Sequence, residues 1–212
     1  MHGLYPIVDA DTLAARGISP AEFTRQVLTA HPALLQLRAK RANSREMLEL
    51  ARALKRPCAE ARTLLILNDR VDLAIVAGCD GVHVGQEDLS VRDVRRVAPS
   101  LLVGVSTHDL DQLDAALADR PDYVAFGPVF PTTSKLRPDP VVGIEVLAAA
   151  VDQARSRGCP LVAIGGIDLD RAAAVGALGA VGAVIGALVP EEGLVGVARR
   201  AARLQQRLGG AD

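Results

Sequence analysis

Short β-rich apolar runs recur eight times along this chain, separated by stretches that read as helices. The runs are LYPIVD (4–9), ALLQLRA (33–39), TLLILN (63–68), GVHVG (81–85), LLVGVS (101–106), YVAFG (123–127), LVAIGG (161–166) and GAVIG (182–186). Helices are expected at 20–31, 44–61, 90–98, 109–119, 143–156 and 170–178, with an amphipathic one at 192–208. Strand alternating with helix predicts βα units around a parallel sheet. Runs that are apolar throughout suit a parallel sheet covered on both faces. Eight such units in 212 residues predict an α/β fold, a (β/α)8 TIM barrel, in a single domain over 1–212. An open doubly wound sheet is the alternative, but its GxGxxG after the first strand is absent.

Composition narrows the function. Half of the residues are hydrophobic, enough for a substantial core, and the formal charge of −1 gives no pull towards nucleic acid or anionic lipid. With no Trp, two Tyr and three Phe, a base-stacking platform is not expected. Cys58, Cys79 and Cys159 are odd in number and in no CxxC spacing, which suits reduced, mostly buried thiols of a cytoplasmic protein. The N-terminus has no basic region before Asp9 and does not read as a signal peptide. Residues 172–189 carry no charge over nearly a membrane span's length. Their Ala and Gly content predicts a buried helix followed by a strand instead.

The polar residues that follow each apolar run carry the information. Asp9 follows the first; Gln36, Arg38 and Lys40 run through and past the second; Asn68 and Asp69 close the third. Gln86, Glu87 and Asp88 follow the fourth, Ser106 and His108 the fifth, and Thr132, Thr133, Ser134 and Lys135 the sixth. Gly165–Gly166 and Gly186 end the last two. In a barrel all these positions share the C-terminal rim, where active sites sit. Arg38, Lys40 and Lys135 bring cations to it, and Gly166 and Gly186 let a phosphate approach the backbone. Asp69 and Asp88 offer hard oxygen ligands suited to Mg2+ beside a bound phosphate. The set suits a ligand system with two separate anionic groups.

Each residue also has a plainer reading. Asp69 and Asp88 are candidate helix caps, Arg38 and Lys40 candidate solvated strand ends, and the double glycine a candidate turn. His83 reads as a satisfied core histidine, and His108 as the opening of a helix. These readings weaken together, because all the polar residues fall at the same end of successive strands.

QLRAK, LNDRVDLA, DGVHVGQEDL, GVSTH, YVAFGPVFPTTSK and VAIGGI, in this order and approximate spacing, resemble the thiamine-phosphate synthase family from Leu4 to about Val189. The resemblance implies a TIM barrel that joins 4-amino-5-hydroxymethyl-2-methylpyrimidine diphosphate to 4-methyl-5-(2-phosphonooxyethyl)thiazole. Thiamine phosphate and pyrophosphate would be the products, by a dissociative, Mg2+-assisted route. By the same resemblance Gln36 would hydrogen-bond the pyrimidine. Arg38, Lys40, Asn68 and Lys135 would hold the diphosphate, with Ser106 on the diphosphate side. Asp69 and Asp88 would bind Mg2+. Thr132, Ser134, Gly166 and the backbone at Ile185–Gly186 would hold the thiazole phosphate. Arg38, Lys40, Ser106 and Lys135 are the catalytic candidates.

Two positions depart from the family pattern: Ser134 stands where a second Thr is common, and Gly186 where Ser is frequent. A thiazole tautomerase of the same superfamily resembles the chain least at the diphosphate set, and carries His where this chain has Pro128. A phosphate-sugar isomerase would need an acid–base pair, for which Asp9 and Glu87 are the best available. A metabolite-binding regulator on the same barrel is the non-catalytic alternative. The expected partners are the two small substrates, with neither nucleic acid nor membrane, and with a homo-oligomer possible. The loop from Thr132 to Pro140, which carries Lys135, is expected to close as a lid.

Overall fold

The computed structural model describes residues 1–132, 139–191 and 193–210. The chain runs β1 (Leu4–Asp9), α1 (Ala10–Ala14), α2 (Pro20–Leu28), β2 (Leu34–Arg38), α3 (Ser44–Glu60), β3 (Leu64–Asn68), α4 (Val71–Ala77), β4 (Gly81–Val84), α5 (Val91–Val97). It continues β5 (Leu102–Thr107), α6 (Leu110–Ala118), β6 (Tyr123–Phe126), α7 (Gly143–Ser156), β7 (Leu161–Ile164), α8 (Leu169–Ala177), β8 (Val181–Val184), a 3-10 turn (Gly186–Leu188) and α9 (Val197–Leu208). The strands close in sequence order, with β1 parallel to β2 on one side and to β8 on the other. This is the expected (β/α)8 barrel.

The expected boundaries shift in places. Strand β7 stops at Ile164, so Gly165–Gly166 belong to the loop beyond it. The final helix begins at Val197 rather than at 192. Helix α1 was not foreseen: Asp9 ends β1 and caps α1 at once, accepting from Thr12 N at 2.8 Å. The uncharged stretch 172–189 divides into the end of α8, β8 and the 3-10 turn. No helix among the described residues is long and apolar enough to cross a membrane.

Alternation along each strand splits the apolar side chains into two cores. Leu35, Leu37, Leu65, Leu67, Val82 and Val103 point outward into the larger one, beneath the helices. Tyr5, Ile7, Leu34, Ile66, Tyr123, Ala125, Val162, Val181 and Ala183 form the smaller one inside the barrel. At the N-terminal end of the barrel, two aspartates clamp neighbouring strands. Asp80, just before β4, accepts from Leu65 N of β3 at 2.8 Å and pairs with Lys55 at 2.6 Å. Asp122, just before β6, accepts from Val103 N of β5 at 2.7 Å and pairs with Arg95 at 2.6 Å.

Strand β5 makes room for the largest side chain on the axis. Gly104 is paired with Tyr123 of β6, and a Cβ at 104 would come within 2.0 Å of Tyr123 Cζ. Close-packed interiors do not absorb an added methyl group without moving their neighbours. Gly104→Ala is expected to cost about 1–3 kcal/mol, visible as a lower Tm in thermal unfolding. An unchanged Tm would mean that the ring moves freely.

Candidate active site

The inward positions change character towards the C-terminal end of the barrel. Along β2, Leu34 is followed at successive inward positions by Gln36 and Arg38; along β3, Ile66 by Asn68; along β4, Gly81 by His83; along β5, Gly104 by Ser106. The lower inward layer is apolar and the upper one polar. Above the polar layer opens a cavity of about 610 Å³, bordered by Gln36, Arg38, Asn68, His83 and Ser106 on one side. Opposite them stand Gly165, Gly166, Ile185 and Gly186, with Thr132 of the loop after β6 at its edge. The volume lies within the usual range for a small-molecule site.

Arg38 is held by an ion pair with Asp9, whose carboxylate is nearly fully buried. Asp9 also caps α1, so one carboxylate aims the guanidinium and starts the helix. That use of Asp9 argues against a role as the base of an isomerase, and Glu87 lies exposed. Lys40 stands more exposed than Arg38 and pairs with Asp69 at 2.5 Å.

The plainer readings of both acids fail. Asp69 does not cap α4: Arg70 occupies the cap position, with no side-chain cap bond. Asp69 has φ +63, a left-handed conformation that Asp and Asn tolerate better than most residues. Asp88 does not cap α5, which Ser90 caps; instead it accepts from Gly85 N at 2.7 Å. Both side chains fold back to the mouth, where the Asp88 carboxylate comes within hydrogen-bonding reach of Asp69. Burial, followed by the neighbouring Asp88 charge, holds the Asp69 carboxyl above its ordinary value, although Lys40 opposes the shift. Two acids pressed together with one lysine suit a divalent cation that keeps waters and takes further oxygens from a bound phosphate. Among the described residues no group of three or more His, Cys, Asp or Glu would hold a metal alone. Lys40, Asp69 and Asp88 sit beside the cavity rather than in its lining. Ser134 and Lys135 lie outside the described residues, as does most of the expected lid.

The glycine side also carries cations that sequence reading did not assign. Arg171 of α8 donates to Gly166 O at 2.7 Å and lies over the Phe130 ring, 5.0 Å from its centre. Arg16 donates to Val189 O at 3.1 Å. Both border the cavity. Gly166 has φ +65, and a Cβ there would press on Phe130 Cβ at 2.8 Å, so glycine is required on both counts. Gly186 differs, since a Cβ there would meet open space.

The floor is polar and largely buried. Gln36, Tyr5, Tyr123, His83 and Ser106 are joined end to end by hydrogen bonds of 2.8–3.0 Å. Tyr5 and Tyr123 meet edge to face at 5.8 Å, and His83 stacks on Tyr123 at 5.6 Å. Burial pushes the His83 pKa down to about 4, so the ring is neutral near neutral pH. The core-histidine reading therefore holds for His83, although it also borders the cavity. His108 hydrogen-bonds Gly127 O at 2.6 Å and reaches the cavity edge, while Asp109 caps the helix that follows.

The raised Asp69 pKa has a consequence for stability. Above that value the folded state holds a charge that the unfolded chain accommodates more easily; below its ordinary value of 3.8 the group is protonated in both states. The cost is therefore present at neutral pH and vanishes in acid. Asn is nearly isosteric and suits the left-handed backbone. Asp69→Asn is expected to raise the Tm of the metal-free protein at pH 7, with the gain disappearing below about pH 3.8. A lower Tm at pH 7 would show that the Lys40 pair outweighs burial.

Comparison with known proteins places this geometry in context. The family model described as thiamine monophosphate synthase matches residues 4–188. The thiamine-phosphate synthase of Koribacter versatilis is 49% identical over 170 residues, 77% of each chain. That of Methanocella arvoryzae is 38% identical over 213 residues, spanning 99% of this chain and 98% of the relative. Among solved structures, thiamine phosphate pyrophosphorylase from Pyrococcus furiosus superposes with a TM-score of 0.84 at 32% identity, covering 97% of this chain and 94% of that one.

Proposed function

Because the chain belongs to the thiamine monophosphate synthase family, we infer that its rim cavity couples an aminopyrimidine diphosphate to a thiazole phosphate. The activity is that of a thiamine-phosphate synthase. The observation that supports this best is the division of the cavity: Arg38, Asn68 and Ser106 face one side, with Lys40, Asp69 and Asp88 at its mouth, and a glycine wall with Arg16 and Arg171 faces the other. Two anion-binding sites with a polar floor between them suit two phosphorylated substrates meeting across the barrel axis. The tautomerase reading is not favoured, since the diphosphate set is present and Pro128 stands where that relative carries His. The whole chain then works as one catalytic domain, and its uncharged-span, cysteine and charge features suit a cytoplasmic enzyme.

The roles proposed here are those that the family resemblance implies, and the positions of the described residues around the cavity support them. The bond between the pyrimidine methylene and the diphosphate oxygen breaks first, and its electron pair leaves with the diphosphate. Arg38, aimed by Asp9, stabilises that growing charge together with Lys40, Asn68 and Lys135. Mg2+ held by Asp69 and Asp88 would neutralise part of the same charge when bound. Gln36 orients the pyrimidine, whose amino group helps to spread the positive charge over the ring. Ser106 donates to the diphosphate side. Thr132, Ser134, Gly166 and Ile185–Gly186 hold the thiazole phosphate, so that the lone pair of the thiazole ring nitrogen forms the new C–N bond with the methylene and water is kept away. No protein nucleophile takes part.

Incubation with both substrates and Mg2+ is expected to yield equimolar thiamine phosphate and pyrophosphate, and EDTA to abolish both. Lys135→Ala and Asp69→Asn are each expected to lower kcat by about 10²–10³ with the fold intact. Near-normal rates in both would remove the role assignment. Gly186→Ser adds a hydroxyl where there is space. It is expected to lower KM for the thiazole phosphate about tenfold, the effect of one hydrogen bond to a charged group. An unchanged KM would place that phosphate elsewhere.

A further inference from the structure

The buried chain across the barrel floor joins the two ends of the pyrimidine subsite, and its protons can be counted. The Gln36 amide donates from Nε2 to the Tyr5 hydroxyl at 3.0 Å. Tyr5 and Tyr123 share a hydrogen bond of 2.8 Å between their hydroxyls. Tyr123 meets His83 Nδ1 at 3.0 Å, and His83 Nε2 meets Ser106 Oγ at 2.8 Å. Gln36, Tyr5, Tyr123 and His83 are all buried.

A hydroxyl has one proton and a neutral imidazole has one N–H. Since Tyr5 accepts from Gln36, its own proton goes to Tyr123. The Tyr123 proton then goes to Nδ1. His83 must carry its hydrogen on Nε2 and donate it to Ser106. Ser106, having accepted, turns its own O–H into the cavity, while Gln36, having donated, presents its carbonyl oxygen. The reverse order requires the Gln36 amide to flip, the hydroxyls of Tyr5, Tyr123 and Ser106 to turn, and His83 to carry its hydrogen on Nδ1, all together. A mixed order leaves two protons or two lone pairs facing each other away from water, where such faults are costly.

We propose that this chain fixes a single proton order, so that the site takes a ligand that donates at Gln36 and accepts at Ser106, and rejects one with the opposite pattern at Gln36. An aminopyrimidine that carries an anionic leaving group meets both demands; its oxo analogue presents a carbonyl to the Gln36 carbonyl. Tyr5, Tyr123 and His83 are thus positioning residues that set specificity through Gln36 and Ser106. This deepens the functional reading above and rests on it for the identity of the ligand.

The test has two independent readouts. The first is the 15N spectrum of histidine-labelled, ligand-free protein, in which His83 is expected as the Nε2–H tautomer; in Tyr123→Phe it is expected to lose that preference. Finding Nδ1–H in the unaltered protein overturns the proposal. The second is calorimetric binding of the 4-amino and 4-oxo pyrimidine diphosphates, with Mg2+, to the unaltered protein and to Tyr5→Phe. Removing the Tyr5 hydroxyl frees the Gln36 amide to turn while the rest of the chain stays ordered. The preference for the amino compound is expected to fall at least tenfold. Equal weakening of both ligands would mark Tyr5 as merely structural and overturn the proposal. Binding with the expected preference but without thiamine phosphate formation would overturn the synthase reading alone, and binding of neither ligand would overturn both.

Discussion

In a closed parallel barrel each strand sends alternate side chains towards the axis, and pairing between neighbours holds them at set heights. Here Ile7, Gln36, Ile66, Gly81 and Leu102 are successive partners around half of the wall. Two residues further along β2 to β5 come Arg38, Asn68, His83 and Gly104, and Ser106 follows at the next inward position of β5. The change from apolar to polar inward positions therefore takes one or two periods of each strand. Apolar packing below sets the positions from which polar groups act above, and neither layer could shift by one residue without exchanging inside for outside.

The polar layer is supported from outside as well as below. Asp9 aims Arg38, caps a short helix and closes β1 against β2. Asp88 ties its loop to Gly85 N while lying against Asp69. Such double use ties the side chains of the site to the backbone around them. The opposite wall works differently. It relies on glycine backbone, with Arg171 fixed by Gly166 O and the Phe130 ring.

Much of this was legible in the chain. Eight apolar runs gave the barrel, and the polar residues after them marked the rim, because strand ends and function coincide in this fold. Gln36, Arg38, Asn68, Ser106, Thr132, Gly166, Ile185 and Gly186 all border the cavity as expected. The floor was not legible. Tyr5, His83 and Tyr123 each lie within an apolar strand and read as core. Their partnership spans 118 residues in one step and 40 in the next, and exists only once β1 and β6 face each other across the closed barrel. Arg16 and Arg171 were missed because helix arginines usually face solvent, and nothing local shows that these two reach back over the rim. The cap reading of Asp69 was excluded by a backbone angle, which a sequence does not display.

The aspartate clamps at Asp80 and Asp122 sit at the end of the barrel remote from the cavity. Each pins a strand start with a carboxylate that takes no part in chemistry. The molecule thereby divides its tolerance to change along one axis. Loops at the open end can lengthen, and side chains there can be exchanged for a new ligand, while the pinned end keeps the strands in step. A laboratory seeking a different coupling reaction on this scaffold would do well to randomise the rim and leave those two acids alone.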